Sequence, residues 1–214
     1  EPYRRQRQMC IRDRKRMLAV FFALLFALSA CSMNHQRRIE PLDGAQVSEI
    51  EQKINYGAPT ENGLSQFYLR YHWNGTPQSI FAWFEIYENG KMTEKGETSN
   101  TNAVGDTGVL LFSAHGEGSL WWAINLIDEG SENGFAGGKT TQNDPLEKDF
   151  AFTVPVIAEK ALELIPNQDT VVMALLYGNG NKDALQKITL KDLQDGPQPL
   201  SEVELAVVLK CNIL

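Results

Sequence analysis

The 214 residues carry a formal net charge of −7 at pH 7, with 20 Lys and Arg against 27 Asp and Glu. A surface of this sign repels phosphate backbones and anionic headgroups, which makes nucleic-acid binding and electrostatic membrane docking poor candidates for its function. Three cysteines in the whole chain rule out a disulfide-rich fold, so the domain must be held together by its core.

Residues 1–14 are predicted to be a non-native leader. The run Met9–Arg14 resembles the translation of a sequencing-library transposon end. Asp13 is also unusual in the basic leader of a targeting signal. We therefore expect the natural protein to begin near Lys15 or Met17.

Residues 15–31 have the organisation of a bacterial export signal. The basic pair Lys15-Arg16 precedes the apolar run Leu18–Ala27, and Leu28–Cys31 then reads Leu-Ser-Ala-Cys. Thirteen residues from Leu18 to Ala30 are too few for a membrane-spanning helix, which needs about 20. The tetrapeptide resembles a bacterial lipobox.

That resemblance implies that signal peptidase II cleaves before Cys31 and that this cysteine is acylated. The remainder would be held by its lipid on the outer face of a cell membrane or outer membrane; the sequence does not tell which. Seven of the Lys and Arg but only two of the Asp and Glu precede Cys31, leaving 13 bases against 25 acids, a net charge of −12. We expect membrane contact through the lipid alone, and a linker over residues 31–46.

One domain is predicted over residues 47–214, and its main signal is alternation of apolar and polar residues. The turn dipeptide Asn89-Gly90 predicts a two-residue hairpin that places Glu88 opposite Lys91. The predicted strands are Gln66–Trp73, Ser79–Glu88, Val109–Ala114, Leu120–Ile127, Phe150–Val154, Val171–Tyr177, Gln186–Leu190 and Val203–Ile213.

These strands predict an all-β fold, a single β-sandwich of eight or more strands with immunoglobulin-like or jelly-roll-like order. Val156–Ile165 is compatible with helix by composition, although the turn residues after it favour strand, turn, strand. A short helix is possible near Val47–Ile54. Cys211 falls on the apolar face of the last strand, which predicts a buried, inert thiol.

No motif predicts catalysis, a cofactor or a metal. His115–Gly118 only faintly resembles an oxyanion loop, because no Gly-x-Ser-x-Gly elbow accompanies it. The acids Glu85, Glu94 and Glu117 are candidates for a carboxylate pair only by their number. The three histidines lack metal-ligand spacing, and Asn179–Asp183 lacks the glycine and closing glutamate of a calcium loop.

Aromatic residues give the only candidate ligand-binding site. Phe81, Trp83, Glu85 and Tyr87 share the second face of one strand, and a sandwich core can accept only one face. We predict an exposed aromatic platform, unless a loop or the amino-terminal segment covers it. Its candidate ligand-binding residues are Tyr68, Trp83, Tyr87 and Trp121.

Three functions follow from these observations. The first is a lipid-anchored binding module for an envelope protein or a glycan, supported by the aromatic face and the polar loops Lys95–Thr107 and Glu129–Lys148. The second is an envelope hydrolase acting on a glycan. The third is a passive scaffold or assembly lipoprotein.

Overall fold

The computed structural model describes residues 37–48, 64–73, 79–96, 99–102, 107–115, 120–128, 141–142 and 146–214. Contacts divide the chain into two units, residues 1–35 and 36–214, and every described residue belongs to the second. The leader, the apolar run and Cys31 lie outside the described residues.

The described part of the chain is an all-β sandwich, as predicted. Sheet A has the order β10-β1-β2-β6-β7-β8; sheet B has the order β4-β3-β12-β11-β9, and β5 also pairs with β3. All pairings are antiparallel. The strands are β1 (Arg37–Pro41), β2 (Leu64–Trp73), β3 (Ser79–Glu88), β4 (Lys91–Lys95), β5 (Ser99–Asn102), β6 (Thr107–His115), β7 (Trp121–Asp128), β8 (Thr141–Gln142), β9 (Phe152–Ile157), β10 (Leu162–Glu163), β11 (Thr170–Gly178) and β12 (Leu205–Ile213).

The core between the sheets is built from the alternate residues that the sequence pattern placed inward. On β3 they are Ile80, Ala82, Phe84 and Ile86, each at most 1% exposed. A buried hydrogen bond crosses the core, in which Trp122 Nε1 donates to the Tyr177 hydroxyl at 2.8 Å. The described core also includes Ile39, Leu69, Tyr71, Leu110, Phe112, Ala114, Leu120, Ile124, Leu164, Val172, Met173, Leu175, Leu205, Val207, Leu209, Cys211 and Ile213.

The predicted hairpin at Asn89-Gly90 is confirmed. Both residues have positive φ, 48° and 76°, which is the type I′ geometry that matches the twist of the flanking strands. Glu88 and Lys91 are in register. The Glu88 carboxylate, however, forms its ion pair with Lys148 Nζ at 2.8 Å.

The sandwich begins earlier than predicted, because β1 lies inside the segment expected to be a linker. β1 pairs with β2 on one side and with β10 on the other. Only Ile39 of its five residues is buried, so the segment carries little of the alternation that identifies a strand. A short helix follows at residues 44–48, where Asp43 and Gln46 exchange side-chain to backbone hydrogen bonds.

The ambiguous segment Val156–Ile165 contains no helix; it holds the end of β9 and the two residues of β10. A turn follows in which Gln168 N donates to Ile165 O, and β11 begins at Thr170. This is the strand, turn, strand arrangement that the turn residues favoured.

Residues 179–204 cover the outer face of sheet B, and the strand predicted at Gln186–Leu190 is wrong. The segment forms helix α1 (Lys182–Leu185), helix α2 (Leu190–Asp195) and a 3₁₀ turn (Gln198–Glu202). Asn181 caps α1, and Thr189 with Asp192 forms a capping box for α2. The segment packs Leu185, Leu193, Leu200 and Val203 on Val154, Val156, Ala174, Leu176, Ala206 and Val208, so a second core lies outside sheet B.

β4 and β5 follow the same side of β3, and Gly96 joins them. Gly96 N donates to Phe84 O at 2.9 Å, and a Cβ at Gly96 would lie 2.7 Å from Phe84 Cζ. Glycine is therefore required where the chain passes over the buried ring. All five residues of β4 are exposed, and lysines at both of its ends protect this sheet edge from pairing with another chain.

Within the described residues, no helix combines the length and the apolar character needed to cross a membrane.

Candidate functional site

The four aromatic residues predicted to bind a ligand do not share one exposed face. Tyr68 is on β2 of sheet A, whereas Trp83 and Tyr87 are on β3 of sheet B. Tyr68 is 8% exposed and packs with Val109. The side chain of Trp121 lies outside what the structure describes.

Trp83 and Tyr87 are 5% and 9% exposed, so the prediction of an exposed platform is wrong for these two residues. Tyr87 belongs to the second core, beneath the covering segment at residues 179–204. Lys95 Nζ lies 4.7 Å from the centroid of the Trp83 ring, within the range of a cation–π contact. Tyr87 is therefore covered by a connecting segment, which was the alternative to an exposed platform. This segment is the connection between β11 and β12.

The residue between these two rings, Glu85, is a buried carboxylate with three donors. Trp83 Nε1 donates to its Oε1 at 3.2 Å, and the Tyr87 hydroxyl donates to its Oε2 at 2.6 Å. Lys210 Nζ, on the neighbouring strand β12, lies 2.8 Å from the same Oε2. Alternation places Trp83, Glu85 and Tyr87 on one face, and the β3–β12 register places Lys210 opposite Trp83, diagonal to Glu85. We call these four residues the Glu85 cluster.

Electrostatics keep this carboxylate ionised. Burial alone would raise the pKa of Glu85, but the hydrogen bonds from Lys210, Tyr87 and Trp83 together lower it below its ordinary value of 4.5. Burial and the adjacent carboxylate raise the pKa of Tyr87, so its hydroxyl keeps its proton. Both carboxylate oxygens are engaged, so the cluster is suited to fixing the packing of β3 on β12 rather than to moving protons.

The lowered pKa of Glu85 predicts a pH dependence of stability. A carboxyl group with a depressed folded-state pKa stabilises the fold above its unfolded pKa, and this contribution is lost as the pH falls through the folded value. We expect the free energy of unfolding to decrease below pH 4.5, and we expect this decrease to be smaller in Glu85→Gln than in the native protein. Urea titrations at several pH values measure it. Equal acid sensitivity of the two proteins would contradict the prediction.

The other carboxylates considered for catalysis do not join Glu85. Glu94 is exposed and pairs in register with Ile86, so it lies on the opposite face of the hairpin. Glu117 lies outside the described residues. Nor do the described residues contain a group of three or more His, Cys, Asp or Glu side chains placed to hold a metal.

The Asn179–Asp183 loop uses its oxygens to bond protein groups. Asn179 Oδ1 accepts from Ala151 N at 2.8 Å, and Asn179 Nδ2 donates to Glu204 Oε2 at 3.0 Å. Asn181 Oδ1 accepts from Ala184 N and caps α1. These oxygens therefore hold the end of β11 and the start of α1 in place, and the capping role of Asn181 was not predicted.

Cys211 is buried, as predicted. It belongs to the main core and is 0% exposed. Burial raises the pKa of the thiol well above its ordinary range, so the reactive thiolate is disfavoured.

A groove of about 880 Å³ lies beside β9. One wall is β9 and the turn that leads into β10, and the other is the covering segment around α1 and α2. Its lining is Val154, Pro155, Val156, Ile157, Ala158, Glu159, Lys160, Ala161, Leu162, Gln186, Ile188, Thr189, Leu190 and Lys191. We call this surface the β9 groove; no sequence pattern predicted it.

Two features of the β9 groove limit what it can bind. β9 is the edge strand of sheet B in the described chain, with β11 on one side, so backbone groups on its other side are available to a ligand. Pro155 removes one N–H from this edge. Among the described residues, the lining contains no aromatic ring and a single carboxylate, Glu159, which favours contacts with an apolar or peptide ligand over stacking on a sugar.

Comparison with known proteins finds no matching family model, no matching curated protein and no matching solved structure.

Proposed function

We propose that this chain is a lipid-anchored, extracytoplasmic protein of the bacterial cell envelope that binds a partner protein through the β9 groove. The observation that supports the anchor is the position of the domain boundary. The lipobox-like segment ends at Cys31, and the compact unit that contains the sandwich starts at residue 36. The folded domain would therefore remain whole after cleavage before Cys31.

The β9 groove supports binding to a protein. Its volume lies within the range of ordinary ligand sites, roughly 300–1,000 Å³. It combines apolar side chains, among them Val156, Ile188 and Leu190, with the free edge of β9. An extended polypeptide segment can use both features, since its backbone bonds to an edge strand and its side chains enter the apolar groove.

The anchor is tested by expressing the full chain in a bacterial host and measuring the mass of the mature amino terminus. We expect cleavage before Cys31, an acylated cysteine and recovery in the membrane fraction. Cys31→Ser should abolish acylation and leave the protein unprocessed. An unmodified Cys31 would refute the anchored function.

Binding is tested with a photoreactive amino acid at Ala161, which is exposed in the groove, and at Met92, which is exposed on β4. We expect a crosslink to an envelope protein from position 161 only. Gln186→Trp should block it because residue 186 lines the groove, whereas Asp183→Trp on α1 should not. Equal crosslinking in both variants would contradict the assignment of the groove.

A further inference from the structure

The start of β1 lies at one end of the sandwich, and the contacts around it define that end. Leu164 N donates to Arg37 O at 2.7 Å, which places the turn that begins at Ile165 beside the first residue of β1. Asn167 N donates to Ile213 O at 3.0 Å, so the end of β12 adjoins the same turn. We call this surface the β1 end.

The β1 end exposes apolar side chains. Ile165 is 50% exposed and Leu214 is 59% exposed. Met92, at 55%, completes the set of large exposed hydrophobic residues in the described chain. Met92 lies beyond the Asn89-Gly90 hairpin, so two of the three are at the β1 end and one is at the opposite end.

The short connection to Cys31 limits how far the β1 end can move from the lipid. Six residue steps separate Cys31 from Arg37, and a fully extended chain of that length spans about 20 Å. β3 runs from the β1 end at Ser79 to the hairpin end at Glu88, a length of about 30 Å. With the lipid in the bilayer, the start of β1 stays within about 20 Å of the acylated cysteine, whereas the hairpin end can lie farther away.

We propose that the β1 end rests on the lipid bilayer, with Ile165 and Leu214 in contact with its interfacial region. This proposal rests on the proposed lipid anchor. It goes beyond the anchor because it assigns a membrane-contacting surface and a fixed orientation to the folded domain. The β9 groove would then lie beside the bilayer in a fixed orientation, because the domain could not rotate freely on its anchor.

The test uses the acylated full-length product reconstituted in vesicles of phosphatidylethanolamine and phosphatidylglycerol that contain a lipid-linked fluorescence quencher. A fluorophore is attached through Gln168→Cys at the β1 end or, as the matched control, through Met92→Cys at the hairpin end. Both positions are exposed, and the native Cys211 is buried. We expect strong quenching at position 168 and several-fold weaker quenching at position 92.

A double variant that lacks the exposed apolar side chains distinguishes apolar contact with the bilayer from tethering by the lipid alone. Ile165→Ser combined with Leu214→Ser should reduce the quenching at position 168 several-fold while the protein stays on the vesicles. Equal quenching in both backgrounds, or equal quenching at positions 168 and 92, would overturn the docking contact and leave the anchor intact. A mass measurement without acyl chains on Cys31 would instead refute both proposals.

Discussion

Replacing Lys210 with Met is expected to lower the free energy of unfolding by about 3 kcal/mol, because it leaves the buried Glu85 carboxylate without its cation. The Glu85 side chain is 9% exposed and that of Lys210 is 22% exposed, so water compensates little. Two donors remain on the carboxylate, from Trp83 and Tyr87. Because these two donors still stabilise the carboxylate, the expected loss of free energy lies at the lower end of the range for a broken buried ion pair. Urea denaturation at pH 7 measures it.

A double-mutant cycle identifies the cause. In Glu85→Gln the neutral amide no longer requires an ammonium group. Adding Lys210→Met to this variant should therefore lower the free energy of unfolding by less than the same substitution does in the native protein. The difference between native and Lys210→Met should also narrow as the pH falls below 4.5 and Glu85 accepts a proton. Strict additivity of the two substitutions would show that Lys210 contributes through its aliphatic stem and not through its charge.

Gly96→Val is expected to destabilise the domain by about 3 kcal/mol, near the upper end of the usual cost of overpacking. A Cβ at this position would meet Phe84 Cζ at 2.7 Å and Cε2 at 2.8 Å. The ring cannot withdraw easily, because Phe84 is 0% exposed. Gly180→Val is the control, since no atom lies within 4 Å of a Cβ there. Thermal or urea unfolding of both variants measures the difference.

Phe84→Leu provides a rescue for this variant, because leucine lacks the Cε and Cζ atoms that the new side chain meets. The double variant Gly96→Val and Phe84→Leu should lose less free energy of unfolding than the sum of the losses in the two single variants. An additive result would mean that the cost of Gly96→Val arises in the backbone and not from contact with the ring.

Alternation along the chain predicted much of the sandwich, because inward residues repeat with period two. β3 matches its predicted bounds, and its apolar face enters the core as expected. β1 was missed because a strand with one buried residue does not show a period. The order of strands was not accessible from the sequence, since pairing partners are set by packing between distant segments.

The second face of β3 was predicted to be exposed because the helices of residues 179–204, which cover sheet B, were not predicted. The apolar residues of Gln186–Leu190 predict a strand, yet Thr189 and Asp192 stand at the spacing of a capping box and indicate a helix start. A carboxylate between two aromatic residues of one strand face, as in Trp83, Glu85 and Tyr87, also fits a buried polar cluster, which was not predicted. The partner Lys210 could be identified only from the pairing of β3 with β12.

The position of β12 has a consequence for how the chain reaches its native state. β12 lies between β3 and β11 and follows both of them in the sequence, and it pairs with β3 from Leu205 opposite Glu88 to Ile213 opposite Ile80. Until β12 arrives, β3 has no neighbour on that side and both apolar faces of sheet B stay incomplete. Contacts of such long range slow folding and expose strand edges in the meantime. Folding of this half of the molecule is thus expected to wait for β12, and the edges of β3 and β11 stay open to aggregation until that strand pairs with them.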